Sequence, residues 1–275
     1  MSLEIKKVYI DTRYKSPDSK SDSDFIIDLP RQFNVPDDVV AYIDDIVLPV
    51  SWETINIHNQ HFYFVIFYGG SNYHRIAVVP AGNYNGSSFA AALRDSINQQ
   101  IVSLAADIDI FVDYNYTSNI IRISIDDKRP EIGDLMTMYI LDDPAIKGND
   151  YLFQLPEPKS LNEILNIDFV HVVSMPYPYS GYLDLQTIRN LYLVSSALAA
   201  YDTVSNWGND RVIKKIPVKA SYNEIIFDNA SEGFDYLNVS RRSLRRLDFR
   251  LHDTKNRIID LRRTHWSFSI VFVKK

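Results

Sequence analysis

Cysteine is absent from the 275 residues of this chain. Without thiols the chain can form no disulfide, so its fold depends on a hydrophobic core, and this absence fits assembly in a reducing compartment. It also excludes cysteine proteases, thiolate metal sites and thiol redox chemistry. A chain of this length buries about three quarters of its unfolded surface and needs no covalent staple.

Long apolar segments are also missing. The most apolar run, Phe62 to Tyr68, has seven residues, whereas a helix needs about 20 to span a bilayer. The first residues, Met1 to Lys7, carry charges and are followed by no apolar stretch of the kind found in signal peptides. We therefore expect a protein that is neither integral to a membrane nor secreted by the signal-peptide route.

Glycine is scarce, with 9 residues, while tyrosine (18) and phenylalanine (14) are abundant. Aromatic side chains favour β-strands because they pack well on a pleated, half-buried surface. The composition argues against disorder and against a helical bundle. Since β-sandwiches reach about 200–250 residues in one unit, we expect residues 1–275 to form a single domain.

Alternating apolar residues predict many short strands, two of which have special features. In Val39 to Leu48, the adjacent acids Asp44 and Asp45 would point to opposite faces, which predicts a bulge or an exposed edge. The segment His61 to Tyr68 is apolar on both faces. Such a strand lies between two layers of one subunit or against another subunit.

Only one segment has a clear helical period. Its apolar positions, spaced by four and three residues, are Phe89, Leu93, Ile97, Ile101 and Leu104. They predict an amphipathic helix over residues 87–104, with Ser87 or Ser88 as the N-cap.

Strand patterns resume after this helix. Residues Ile110 to Tyr116 and Ile121 to Ile125 alternate around a short turn and predict a hairpin. Residues 126–180 are rich in proline and aspartate, and we expect a surface insertion within them. At the C-terminus, Trp266, Phe268, Ile270 and Phe272 alternate with Ser267, Ser269, Val271 and Val273 and predict a last strand whose aromatic side faces the core. The fold class predicted is all-β, an antiparallel β-sandwich of single jelly-roll type with one prominent α-helix.

Residues with catalytic or metal-binding chemistry form no recognisable motif. A phosphate-binding glycine loop and a nucleophile elbow are both missing from the sequence. His58 and His61 have the spacing of metal ligands but lie at the start of a predicted strand. Asp107, Asp109 and Asp113 lack the glycine bend of a calcium loop and are expected to be solvated charges at a strand end. We predict no enzyme activity, no cofactor and no metal.

An arginine cluster is the sharpest charge feature. It comprises Arg241, Arg242, Arg245 and Arg246, and is followed by Arg250, Arg257, Arg262 and Arg263. One interpretation is contact with a polyanion such as packaged nucleic acid, or with an acidic surface of another subunit. The other is a solvated strand face that pairs with the many acids of the same chain. No aromatic signature of sequence-specific RNA recognition accompanies the arginines.

Charge is distributed unevenly along the sequence. Residues 200–275 contain 15 Lys and Arg against 9 Asp and Glu, whereas residues 1–199 contain 14 against 26. Such a chain can place an acidic surface on one side and a basic surface on the other. We expect this asymmetry to suit a shell protein or a head-to-tail contact between subunits.

The ordered landmarks of the chain resemble the minor capsid, or penton, proteins of virophages and polinton-like viruses. The segments that carry the resemblance are Val8 to Arg13 (VYIDTR), Asp24 to Pro30 (DFIIDLP), Ile46 to Ile55 (IVLPVSWETI), Ile76 to Asn85 (IAVVPAGNYN) and His265 to Phe272 (HWSFSIVF). Their order and spacing, more than any one of them, make the likeness, which is weakest over residues 126–180.

The resemblance implies a single jelly-roll protein of the virion that forms homopentamers at the icosahedral vertices, beside a double jelly-roll major capsid protein. It implies assembly in the host cytoplasm and an insertion that points outward, and it transfers no catalytic residue. The alternative function is a spike module that binds a receptor or carbohydrate. Candidate aromatics for that alternative are Trp52, Trp207 and Tyr177 to Tyr179, although such residues more often lie in cores or interfaces.

Overall fold

The fold is known from a computed structural model that describes residues 5–104, 108–127, 136–148, 159–200, 208, 211–229 and 236–274. Its strands are Ile5–Asp11 (β1), Asp24–Asn34 (β2), Val39–Pro49 (β3), His61–Tyr68 (β4), Ser71–Val78 (β5), Ile108–Asn115 (β6), Ile120–Asp127 (β7), Thr137–Ile140 (β8), His171–Val173 (β9), Tyr179–Tyr182 (β10), Asn190–Val194 (β11), Val212–Pro217 (β12), Ile225–Asp228 (β13), Leu237–Asn238 (β14), Ser243–His252 (β15) and Ser267–Lys274 (β16). Its helices are Gly86–Ile101 (α1), Asp143–Gly148 (α2) and Asn162–Leu165 (α3), with a 3-10 turn at Thr12–Tyr14. Within the described ranges, no helix is long and apolar enough to cross a lipid bilayer.

The chain divides into two compact units. Unit 1 consists of Met1–Trp52 and Ile188–Lys275, and unit 2 of Glu53–Thr187. In sequence, unit 2 is therefore inserted into unit 1 between β3 and β11. The single domain predicted for residues 1–275 stays a prediction, as does the surface insertion expected within 126–180, a stretch that belongs to unit 2.

Unit 1 contains two antiparallel sheets with jelly-roll connectivity. Sheet 1 has the strand order β1-β16-β3-β13, with the short β14 also paired to β3, and sheet 2 has the order β12-β11-β15-β2. If the eight long strands of unit 1 are counted along the chain, sheet 1 reads first, eighth, third, sixth, and sheet 2 reads fifth, fourth, seventh, second. This is the order of two interlocked Greek keys, which defines the jelly roll.

The inner faces of the two sheets form the core of unit 1. Phe268, Ile270 and Phe272 of β16 lie in this core, as does Trp266 just before the strand. The predicted orientation of the last strand is therefore confirmed. Across the sandwich, Phe249 of β15 meets Phe268 edge-on with ring centroids 5.0 Å apart, a geometry that aromatic quadrupoles favour.

The acidic pair in β3 produces the predicted bulge. Asp45 has φ of +51°. Two residues of β3, Asp45 and Ile46, lie between the positions paired with Ser269 and Ser267, where β16 has the single residue Phe268. The Ser269 hydroxyl donates to the Asp44 carbonyl at 3.1 Å. The strand is not an edge, however, because it pairs with β16 on one side and with β13 on the other.

Unit 2 also contains two antiparallel sheets, here called sheet 3 (order β5-β4-β8-β9) and sheet 4 (order β10-β7-β6), together with α1. Strand β4 is buried on both faces. Phe62, Phe64 and Ile66 belong to the main core of unit 2, whereas Tyr63 and Val65 pack in a smaller cluster near α2. Of the two expectations for this strand, burial within the chain is correct for Phe62 to Ile66, while Phe67 near its end is 39% exposed.

The predicted helix is α1, whose residues Phe89, Leu93, Ile97 and Ile101 are buried. Its N-cap is Asn85 and not Ser87 or Ser88. The Asn85 side chain accepts a hydrogen bond from the Ser88 backbone N–H at 2.9 Å, and the Ser88 hydroxyl accepts one from the Asn85 N–H at 3.0 Å. Ser88 thus completes a capping box from the third helical position.

We expect Phe268→Ala to lower the free energy of unfolding of unit 1 by about 3–5 kcal/mol, because the ring is 2% exposed and its removal leaves a cavity. All three tryptophans of the chain, at positions 52, 207 and 266, fall within unit 1. Urea unfolding followed by tryptophan fluorescence therefore reports on this unit. The exposed Tyr14 provides a control, since Tyr14→Ala should cost less than about 0.5 kcal/mol. A loss below about 1 kcal/mol for Phe268→Ala would contradict its place in the core.

We expect Asn85→Ala to destabilise unit 2 by about 1 kcal/mol, because it leaves the N–H of Ser88 without its cap. Circular dichroism at 222 nm during urea unfolding follows α1 and is the appropriate measurement. Ser87→Ala is the matched control, since Ser87 is exposed in the same turn and does not cap. Equal effects of the two substitutions would show that the cap is assigned to the wrong residue.

Candidate functional site

The arginine cluster lies at and just before the start of β15, which runs between β11 and β2 in sheet 2. Because β15 pairs with β2, its arginines lie beside acids of the N-terminal segment. Arg246 Nη2 is 2.5 Å from Asp18 Oδ2, and Arg250 Nε is 3.6 Å from Asp24 Oδ1. The outer face of sheet 2 therefore carries ion pairs formed within the chain.

The four arginines singled out from the sequence have different surroundings. Arg242 is half-buried and donates to two backbone carbonyls, those of Ala197 at 2.9 Å and Ala199 at 2.6 Å. It thus holds the segment after β11. Arg241, in the left-handed conformation with φ of +61°, has its Nε 2.6 Å from Asp37 Oδ1. Arg245 is exposed and forms no ion pair with any residue that the structure describes.

A basic cleft of about 670 Å³ lies elsewhere in unit 1 and was not foreseen from the sequence. Its ionisable residues are Lys15, Lys20, Asp22, Asp260, Arg263 and His265. The Asp22 carboxylate is nearly buried and lies 2.7 Å from Lys15 Nζ and 3.4 Å from His265 Nδ1. These residues come from the two ends of the chain, so no local pattern could have grouped them.

Charge is segregated by unit and not by sequence half. Unit 2 contains 7 Lys and Arg against 16 Asp and Glu, which leaves 22 against 19 for unit 1. Within unit 1 the acids of residues 1–52 and the arginines of the C-terminal region alternate on sheet 2. The expectation of an acidic surface opposite a basic one, drawn from the halves of the sequence, is therefore wrong for unit 1.

The outer face of sheet 1 is apolar, in contrast to that of sheet 2. Tyr9 on β1 and Phe227 on β13 are 78% and 72% exposed, and they lie on the two outermost long strands of the sheet. Tyr42 on the central β3 packs edge-on against Tyr236 at 5.7 Å. The charges Lys7 and Asp44 lie 3.7 Å from each other. We call this surface the apolar outer face.

Among the described residues, no three His, Asp or Glu side chains cluster as metal ligands. His61 is half-buried at the start of β4, where its Nδ1 lies 3.1 Å from the Tyr63 hydroxyl, and burial lowers its pKa. Asp109 and Asp113 point outward from β6, and Asp107 lies outside the described residues. Among the described members of these two sets, His58, His61, Asp109 and Asp113 do not belong to a cluster of metal ligands.

The aromatics proposed for a carbohydrate-binding spike have mixed positions. Trp52 is buried in the core of unit 1, and Trp207 lies outside the described residues. Tyr177 is exposed, whereas Tyr179 is buried and its hydroxyl donates to the Leu165 carbonyl. Burial raises the pKa of Tyr179 to about 12. Trp52 and Tyr179 are therefore not available to a ligand, and Tyr177 is the exposed tyrosine of the Tyr177 to Tyr179 segment.

No protein-family model matches the sequence, and no curated protein sequence matches it. Among solved structures, the chain is similar to the penton protein of mavirus, seen in a crystal structure of its selenomethionine-labelled form. The similarity covers 98% of this chain and 100% of the mavirus protein. The TM-score is 0.54 and the sequence identity 10%.

This similarity shows a shared fold. Together with the strand order of unit 1, it confirms the predicted all-β fold of antiparallel, single jelly-roll type with one prominent helix. The fold does not by itself fix a function.

The role of the arginine cluster can be tested on immobilised double-stranded DNA. We expect weak retention at low salt that is independent of sequence, because Arg245 is exposed while Arg241 and Arg246 are partly neutralised. Replacing Arg241, Arg245 and Arg246 by Ser should abolish this retention. Arg242 is left in place because its removal would disturb the backbone it holds.

The matched variant for this experiment is Asp18→Asn with Asp37→Asn, which removes the carboxylates nearest to Arg246 and Arg241. It should raise the salt concentration needed for elution, since the freed cations then neutralise additional phosphates. If the wild-type protein passes through the column at the lowest salt, the arginines serve only contacts within the chain.

Proposed function

We propose that this protein is a structural component of an icosahedral virus capsid, where it forms the vertices as a homopentamer. The observation that carries the proposal is the similarity to the mavirus penton protein over the full length of both chains, unit 2 included. Jelly rolls serve viral capsids but also lectins and cupins. A likeness confined to unit 1 would therefore favour the capsid role much less.

The proposed partners are other copies of this chain and a double jelly-roll major capsid protein. The proposed location is the virion, after assembly in the host cytoplasm, with non-specific contact between the arginine cluster and packaged DNA as an additional role. The role is structural and requires no catalytic residue. These partners follow from the proposed vertex position and are tested with it.

A five-fold ring requires that one patch of each subunit meet a different patch of its neighbour. The two outer faces of the unit 1 sandwich differ from each other in polarity. One is the apolar outer face, with Tyr9 and Phe227 exposed, and the other carries the ion pairs of β15 and β2. Fully buried parts of interfaces are enriched in aromatic residues and depleted in charge. We therefore assign one half of the proposed subunit contact to the apolar outer face.

Light scattering on the purified chain measures its mass directly. We expect a pentamer, or a monomer that closes into pentamers only when the major capsid protein is added. Introducing charge by Tyr9→Lys with Phe227→Lys should shift the pentamer towards monomer, because a buried and unpaired ammonium is costly.

Tyr14→Lys is the control for this substitution, since Tyr14 is similarly exposed but lies in the 3-10 turn after β1. It should leave the mass unchanged. A stable dimer or trimer at all protein concentrations contradicts the vertex proposal, and a trimer would favour a spike.

A further inference from the structure

The outer face of sheet 4 in unit 2 carries a cleft of about 570 Å³ at the end of the β6–β7 hairpin. This volume is in the range of small-ligand sites. The cleft lies where three adjacent strands place their outward side chains in register. Because inward residues such as Val112 and Ile123 supply the core, the outward ones are available for contact with a ligand.

Two rows of side chains cross the three strands. In the first row Asp113 of β6 is opposite Arg122 of β7, which is opposite Ser180 of β10. In the second row Asn115, Ile120 and Tyr182 are opposite each other in the same strand order. Adjacent strands lie ~4.8 Å apart and the rows ~7 Å apart. The platform thus has the dimensions of one or two sugar rings.

Aromatic surface is exposed at this end of the sheet. Tyr116 follows β6 and is 86% exposed, and Tyr182 on β10 is 53% exposed. A tyrosine ring offers a flat apolar face together with a polar hydroxyl. Side chains so exposed contribute little to the core of unit 2. Tyr116 lines the same cleft as the carboxylate of Asp113 and the guanidinium of Arg122, which is an arrangement suited to contact with a ligand.

The polar groups of the cleft remain available. Asp113 and Arg122 face each other across the strands, yet within the described part of the chain neither takes part in an ion pair. A carboxylate accepts and a guanidinium donates several hydrogen bonds in a fixed plane. Because Asp113 and Arg122 are cross-strand neighbours, they can bind adjacent hydroxyl groups of one ligand. Their charges cancel, so the cleft favours a neutral ligand.

The turn beneath the cleft is held in place before any ligand arrives. The Asn115 carboxamide oxygen accepts hydrogen bonds from the N–H groups of Thr117 at 2.9 Å and Ser118 at 3.3 Å. Asn119, with φ of +55°, accepts a hydrogen bond from the Tyr114 hydroxyl at 2.7 Å and donates one to the Leu183 carbonyl at 2.9 Å. Such preorganisation reduces the entropy lost on binding.

Other ligand classes fit less well. Unit 2 has 16 acids against 7 bases, which repels polyanions such as nucleic acid. An apolar ligand would leave Asp113 and Arg122 without polar contacts when it covered them. We propose that this cleft binds the pyranose ring of a neutral saccharide, with Tyr116 stacking on its C–H face and Asp113, Arg122 and Asn115 contacting its hydroxyl groups. The inference does not rest on the proposed vertex function.

Saturation-transfer difference NMR on the full chain tests the proposal. The probes are the methyl glycosides of glucose, galactose and mannose, with N-acetylglucosamine. We expect binding of at least one, and a loss of about tenfold in its affinity in Tyr116→Ala, which corresponds to one aromatic contact of about 1.4 kcal/mol. Tyr116→Phe should retain binding because it keeps the ring, and Arg122→Gln and Asp113→Asn should each weaken it.

Tyr14→Ala, which removes an equally exposed ring from unit 1, should bind as the wild type does. The helix signal of α1 in circular dichroism should be unchanged in every unit 2 variant, which separates loss of binding from loss of folding. The proposal is overturned if none of the four sugars binds or if Tyr116→Ala binds as well as wild type. It is also overturned if N-acetylneuraminic acid binds more tightly than the neutral sugars and depends on Arg122.

The mass of Tyr116→Ala in light scattering should equal that of the wild type. A protein that binds the sugar but is a stable dimer or trimer at all protein concentrations would refute the vertex proposal alone. A pentamer that binds no sugar would refute the saccharide proposal alone.

Discussion

Aromatic packing between the two sheets of unit 1 is the interaction on which the jelly roll depends. Phe25 of β2 and Phe249 of β15 come from sheet 2, while Trp266 and Phe268 belong to the last strand segment. The eighth strand lies between the first and third, so sheet 1 closes only when the two ends of the chain meet. The free energy gained by burying these rings offsets the conformational entropy lost when the two distant ends of the chain are brought together. The Trp266 indole N–H is the one polar group on these four rings. It donates a hydrogen bond to the Asp22 carbonyl at 2.7 Å, so its burial leaves no donor unsatisfied.

The same strand order determines the surface chemistry of unit 1. Since β15 must lie beside β2, its arginines are neutralised by acids more than 200 residues away in sequence. Sheet 2 therefore presents ion pairs that are individually weak, and sheet 1 presents apolar side chains on its outer face. The two faces of this sandwich therefore differ in polarity. The four arginines of the cluster therefore have different roles. Arg242 donates to backbone carbonyls, Arg241 and Arg246 pair with aspartates, and Arg245 is exposed to solvent.

Unit 2 has its own core, in which α1 and the β6–β7 hairpin pack against sheet 3. Gly86 begins α1 beneath the Tyr114 ring, where an added Cβ would lie 2.2 Å from the ring carbon Cζ. This close approach couples the start of the helix to the hairpin. The hairpin can then present its outward residues on a fixed support, as binding sites in other proteins are carried by rigid elements. Because the core of unit 2 holds the hairpin in place, its outward residues can bind a ligand without disturbing the packing beneath them.

Local periodicity in the sequence determined the element types. The 3.6-residue spacing of Phe89 to Ile101 specified the helix α1, and alternation specified the last strand and its inward face. It also indicated the bulge at Asp44 and Asp45, because two adjacent acids cannot both avoid the core of a regular strand. Tertiary structure alone decided the rest. The N-cap of α1 is Asn85 and not the predicted Ser87 or Ser88, because hydrogen bonds in both directions between Asn85 and Ser88 satisfy the backbone N–H groups of both residues. The division into two units, the partners of each arginine and the rows of the sheet 4 cleft depend on strand register between distant segments, which no local pattern encodes.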